Sequence, residues 1–78
     1  MEKFPSMKIR ILLRILQKEP LNYFLVRQTG SHRLFRSNNY PDLTISYHDS
    51  VEVSGSYITD LLMKKVQLTS FEAREILK

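Results

Sequence analysis

The sequence predicts a small α+β domain in the order helix, three strands, helix and short helix. The strands form one antiparallel sheet with the helices on one of its faces, leaving the other face open. Three observations carry this. Ile9, Leu12, Leu13 and Leu16 recur at helical spacing near the start of the chain. Three short segments rich in branched and aromatic residues follow, joined by connections too short for parallel crossovers. Two further amphipathic stretches complete the 78 residues, which leave room for one domain spanning 1–78.

Ser6 is the expected N-cap of the first helix, which runs to about Gln17 or Lys18 and keeps Lys8, Arg10 and Arg14 in water. Ile11 and Ile15 widen its apolar face, and Pro20 closes it because the residue before proline avoids the helical region. Residues 23–28 form a first strand, the turn Thr29-Gly30-Ser31 reverses the chain, and residues 32–36 return. The cluster Ser37-Asn38-Asn39-Tyr40-Pro41-Asp42 is a loop, followed by a third strand over 43–47. Ser54 or Ser56 starts a helix to about Val66, with Tyr57, Ile58, Leu61, Leu62 and Val66 facing inward. Thr69 and Glu72 form a capping-box pattern at the start of a short last helix carrying Phe71, Ala73, Ile76 and Leu77.

Alternation along the strands sorts the two faces of the sheet. Leu43, Ile45 and Tyr47 belong to the core, which puts Thr44, Ser46 and His48 on the open face. Phe24 and Val26 are assigned inward, leaving Leu25 and Arg27 outside. The second strand is ambiguous, since Leu34 and Phe35 are both apolar and point opposite ways; with Phe35 inward, His32, Leu34 and Arg36 join the open face.

Composition excludes several function classes. No cysteine is present, so neither a disulfide framework nor a thiolate zinc site is available. His32 and His48 have no clustered carboxylate partner at zinc-ligand spacing, so the sequence offers no metal site. There is no phosphate-binding glycine loop, nucleophile elbow or carboxylate dyad, and no cofactor is expected. The N-terminal residues Met1-Glu2-Lys3-Phe4-Pro5 do not resemble a secretory signal, and no stretch approaches the roughly 20 apolar residues of a bilayer span, so a cytoplasmic protein is expected. The formal charge of +4 favours polyanionic partners.

That leaves metal-independent acid–base chemistry. RNA permits it, because its 2′-hydroxyl sits beside the phosphate it can attack, and histidine exchanges protons near neutral pH. His32 is the candidate acid–base residue, with His48 as a possible second proton carrier. Arg27, Arg33 and Arg36 offer paired donors to phosphate oxygens, and Ser31 is a further candidate RNA contact at the turn.

The run Leu25-Val26-Arg27-Gln28-Thr29-Gly30-Ser31-His32-Arg33-Leu34-Phe35-Arg36 resembles the signature of HicA toxins, in which a strand of the form LVRQKGSH precedes a basic-hydrophobic return strand. Ile45-Ser46-Tyr47-His48 is similar to the family's third strand, and Val53-Ser54-Gly55-Ser56-Tyr57-Ile58-Thr59-Asp60-Leu61-Leu62 to the start of its next helix. The resemblance covers nearly the whole chain in the right order. It implies a double-stranded-RNA-binding-like fold, an mRNA-cleaving toxin with its catalytic histidine at His32, and neutralisation by a HicB-type antitoxin. The antitoxin is expected to be acidic and to contact Arg27, Arg33 and Arg36 together with the helix bearing Lys64 and Lys65.

The sequence also departs from that pattern. The family often has proline where Ser46 stands and a more basic segment than Asp49-Ser50-Val51-Glu52. Its helix-start glycine falls on Ser56, and an arginine common on that helix is replaced by Thr59. These differences lower positive charge near the expected RNA groove. Two other functions compatible with the same residues are a non-catalytic RNA-binding module and a protein-interaction domain of the same fold.

Overall fold

The computed structural model describes residues 4–77. It is a small α+β domain with a three-stranded antiparallel sheet and three helices, in the order the sequence predicts. One feature is added: a two-residue strand, β1 (Met7–Lys8), precedes helix α1 (Ile9–Gln17) and pairs antiparallel with β5 (Glu52–Val53). The main sheet consists of β2 (Phe24–Thr29), β3 (His32–Arg36) and β4 (Leu43–Ile45), in that spatial order. Helix α2 (Gly55–Asp60) widens into a π-helical turn (Leu61–Lys65), and α3 (Ser70–Ile76) closes the fold.

The α1 N-terminus differs from expectation. Its exposed amides are met by backbone carbonyls rather than by a side-chain cap: Ile9 N–H donates to Val51 O at 2.9 Å and Arg10 N–H to Asp49 O at 3.2 Å. Ser6 instead donates its hydroxyl to the Glu52 carboxylate at 3.0 Å, just before the β1–β5 pair. With carbonyls of the 49–51 segment already in place, no cap is needed. The buried face of α1 is the predicted one, Ile9, Leu12, Leu13 and Leu16.

These side chains meet Phe35, Leu43 and Ile45 from the sheet and Ile58, Leu61, Leu62, Val66, Leu68 and Ala73 from the C-terminal half in one core. Each large apolar side chain in it contributes roughly 1.5–3 kcal/mol relative to exposure. Tyr23, expected to open the first strand, packs into this core just ahead of it and donates its hydroxyl to Pro41 O at 2.7 Å.

Strand β2 corrects the assignment of faces. Its pairing with β3 shifts register between Leu25 and Arg27, so Leu25 lies opposite Phe35 while Arg27 lies opposite Leu34. Val26 is the extra residue of this bulge. Strict alternation keeps Leu25 and Arg27 on one face; the bulge sends Leu25 to the helix side and Arg27 to the open side. Phe24 and Val26, expected in the core, are 47% and 43% exposed. β4 is also shorter than expected. It ends at Ile45, and Tyr47 sits 43% exposed, packed edge-on against Tyr57 with ring centroids 5.4 Å apart.

The helix starts follow the sequence more closely. Ser54 is the cap of α2, its hydroxyl accepting from Tyr57 N–H at 3.2 Å. Gly55 is required by space: a Cβ there would come 1.8 Å from the Phe4 carbonyl oxygen. The π turn keeps Leu61 and Leu62 buried and ends with Val66 N–H on Leu61 O at 2.9 Å. Thr69 and Glu72 form the expected reciprocal capping box of α3, whereas Phe71 lies 63% exposed.

Candidate functional site

The site is assembled by the β2–β3 hairpin and by the register of β3 on β4. Gly30 takes a φ of 60° in the two-residue turn between the paired residues Thr29 and His32. A positive φ at the first central position is the geometry that favours glycine in a hairpin turn matched to strand twist. Gln28 donates its side-chain amide to Gly30 O at 3.0 Å, bracing the turn. His32 therefore opens β3 with its orientation set by the hairpin.

Across the other edge of β3, Leu34 pairs with Thr44 and Arg33 with Ile45. Continuing that register by one step on each side brings His32 opposite Ser46, and their side chains meet: His32 Nδ1 lies 3.0 Å from Ser46 Oγ. His32 is exposed, so its Nε2 is the ring nitrogen left for a ligand. Arg27, Thr29, His32, Arg33, Leu34 and Thr44 line a shallow depression of about 270 Å³ at this place.

The three predicted phosphate-binding arginines have different fates. Arg27 projects on the His32 face and has no ion pair or side-chain hydrogen bond with any described residue. Arg36 is on the same face at the far end of β3 but forms a two-point pair with Asp42, both contacts at 3.2 Å. The Asp42 hydrogen bond, and then its charge, hold the Arg36 guanidinium above its ordinary pKa. Both partners are about half exposed, so this pair contributes little stability and exchanges readily with another anion.

Arg33 belongs to the opposite face, with Phe35, as its pairing to Ile45 and Gln28 requires. Its side chain is only 12% exposed and is committed to Asp49 Oδ1 at 2.6 Å and Tyr47 O at 2.8 Å. It therefore ties the loop after β4 to the sheet. The grouping of all three arginines as one phosphate-facing set is corrected accordingly: Arg27 and Arg36 share the face of His32, and the Arg33 guanidinium does not.

His48 does not line the His32 depression. β4 stops before it, so strand alternation no longer governs its direction, and it lines a separate depression with Gln28, Ser31, Arg33, Tyr47 and Asp49. Ser31 sits half-buried at the hairpin turn on that second depression. The acidic partners Asp42 and Asp49 escaped the sequence reasoning. Asp42 had a signal, since it closes the turn cluster six residues after Arg36; Asp49 had none short of the fold.

Larger clefts lie elsewhere. One of about 440 Å³ between β4 and α2 is lined by Thr44, Tyr57, Asp60 and Lys65 among others, and Thr44 also borders the His32 depression. A more apolar one of about 640 Å³ lies between Phe4, Met63 and Arg74. Neither contains a histidine. Among the described residues no three His, Cys, Asp or Glu side chains come together to hold a metal ion, and no helix is long and apolar enough to cross a membrane. Comparison of the chain with protein families, with curated proteins and with solved structures returns no match.

Proposed function

We propose that this chain is a HicA-like mRNA-cleaving toxin of the cytoplasm, with a double-stranded-RNA-binding-like fold, in which His32 is the general base. The observation that supports this most is the juxtaposition on one open sheet face of an exposed imidazole, held through Nδ1 alone, and the unpartnered guanidinium of Arg27. The Gly30-Ser31-His32 frame of the hairpin, which resembles the HicA signature, supports it independently.

In the proposed reaction His32 Nε2 takes the proton of an RNA 2′-hydroxyl. The 2′-oxygen attacks the adjacent phosphorus, and the bond to the 5′-oxygen breaks. A 2′,3′-cyclic phosphate and a 5′-hydroxyl result, the leaving oxygen taking its proton from solvent on this open face. Arg27 stabilises charge on the non-bridging oxygens, and Arg36 engages a neighbouring phosphate after releasing Asp42. No metal takes part in this scheme. One positioned acid–base group supplies about 10²–10⁴-fold, so a slow nuclease follows from a single histidine without His48 beside it.

The same geometry supports a mode of neutralisation. A HicB-like acidic partner covering Thr44 reaches His32 on one side and Lys65 on the other, and excludes RNA without deforming the toxin. Induced expression of the wild-type chain is expected to arrest growth and fragment cellular RNA, and His32→Ala to do neither while folding normally. A folded His32→Ala variant that remains equally toxic removes His32 from the mechanism.

A second reading, a non-catalytic RNA-binding module, is favoured by the absence of a second acid–base group in the His32 depression. It predicts RNA binding that weakens steeply with salt and is unaccompanied by strand scission.

A further inference from the structure

We propose that Ser46 is the positioning residue of the His32 site: its hydroxyl accepts the Nδ1–H of His32 and so keeps the lone pair on Nε2, facing the substrate side of the sheet. This rests on the reading of His32 as a base, but it concerns a property of the folded protein that exists without substrate.

The geometry begins with the register. Leu34–Thr44 and Arg33–Ile45 are cross-strand partners, and the next pair outward, His32 and Ser46, lies where β4 has just ended. Ser46 is thus delivered to His32 by strand pairing, with the ladder of β3 and β4 fixing its backbone. On the other side of His32 stands Thr29, its partner across the hairpin. Among the described residues only Ser46 makes a hydrogen bond with the ring, at 3.0 Å and to Nδ1. In a neutral imidazole one nitrogen carries the proton and the other the lone pair, and the partner of one decides the state of the other. An imidazole alone in water prefers its proton on Nε2, the wrong nitrogen for a base whose free edge is Nε2. A serine hydroxyl can donate or accept, and the contact distance is the same in either sense; in the acceptor role assigned to it, Ser46 reverses that preference.

A hydroxyl also suits both halves of a proton cycle. When Nε2 takes a proton the ring becomes a donor at both nitrogens, and Ser46 Oγ accepts from Nδ1 in that state as well. Being uncharged, it does this without the strong bias toward the imidazolium that a carboxylate would impose. The charged groups on the same face are Arg27 from β2 and, further along β3, Arg36 with its partner Asp42; Thr44 of β4 and Ser46 just beyond the end of that strand are uncharged.

The test is long-range proton–nitrogen NMR on ¹⁵N-labelled wild type, Ser46→Ala, Ser46→Thr and Ser46→Asp, with RNA cleavage rates on the same samples. His48, whose ring has no partner among the described residues, serves as the internal reference. In wild type neutral His32 is expected as the Nδ1–H form and His48 as the Nε2–H form. Ser46→Ala returns His32 to the Nε2–H form and lowers kcat about 10-fold with KM little changed, in line with the loss of other imidazole-orienting partners. Ser46→Thr restores both readouts. Ser46→Asp keeps the Nδ1–H form, because a carboxylate accepts from Nδ1–H and cannot donate to it. Wild-type His32 in the Nε2–H form, or a tautomer unchanged by Ser46→Ala, overturns the proposal even if RNA is cut. A tautomer that follows Ser46 in a protein that cuts no RNA upholds the Ser46 assignment and defeats the nuclease reading instead.

Discussion

Strands β2 and β3 are hydrogen-bonded neighbours with similar mixtures of apolar and basic residues, yet they live in different environments. Every residue of β2 is exposed, whereas β3 buries Phe35 to 1% and keeps Leu34 and Arg33 half-buried. β3 is flanked on both sides and covered by the helices; β2 is an edge strand with a bulge at Val26 that changes which face Leu25 presents. Apolar character thus gains core position only where strand neighbours and helix cover coincide. It follows that β3 carries the stability of the sheet and fixes His32, while β2 supplies Arg27 from a strand that stability does not constrain.

The sharpest way to break this contrast is a pair of truncations. Phe35→Ala should cost about 3–5 kcal/mol in urea unfolding. Leu25→Ala, at a neighbouring position on the same face, should stay within about 0.5 kcal/mol. Similar losses from both would show that β2 is packed as firmly as β3. Next in size is Gly55→Ala, which forces a Cβ onto the Phe4 carbonyl and should cost about 1–3 kcal/mol. An unchanged midpoint would mean that Phe4 moves away freely.

Much of this was legible in the sequence, and the reasons for the rest are physical. The apolar rhythm of α1, the Thr69–Glu72 capping box and the turn at Gly30 are local signals, and local chemistry formed them as read. Phe24 and Val26 were misassigned because a bulge breaks period-two alternation without leaving a mark in composition. Ser6 lost its cap role to carbonyls more than forty residues away, which no local pattern reports. The His32–Ser46 contact was half legible: alternation placed both on the open face, but the β3–β4 register was needed to make them partners. Arg33 was separable by alternation alone, since it has the parity of Phe35, whereas its Asp49 partner was not.

Smaller effects sharpen the division between structural and functional arginines. Arg33→Ala should destabilise by about 1–2 kcal/mol by removing charge-assisted bonds to Asp49 and Tyr47 O. Arg27→Ala should leave thermal stability nearly unchanged and weaken RNA binding with a shallower salt slope. The reverse ranking in a thermal melt would exchange their roles.

Tyr23 gives the most specific signature. Burial, with the charge of Asp42 and the neighbouring Tyr40 adding, raises its hydroxyl from 10.0 to about 12. The folded state then holds a proton that the unfolded chain has lost, so this contribution is full below pH 10 and declines as pH rises toward 12. Tyr23→Phe should flatten that alkaline decline, and an identical slope in the variant would assign it to other groups.

The most direct measurement of the central claim is cleavage of a defined RNA by purified protein in excess chelator, wild type beside His32→Ala, with both folds verified by circular dichroism. The wild type should yield fragments ending in 2′,3′-cyclic phosphate, and His32→Ala should lose about 10²-fold or more in rate. Equal cleavage by the two proteins, or wild-type cleavage that appears only when magnesium is restored, would contradict an acid–base role for His32.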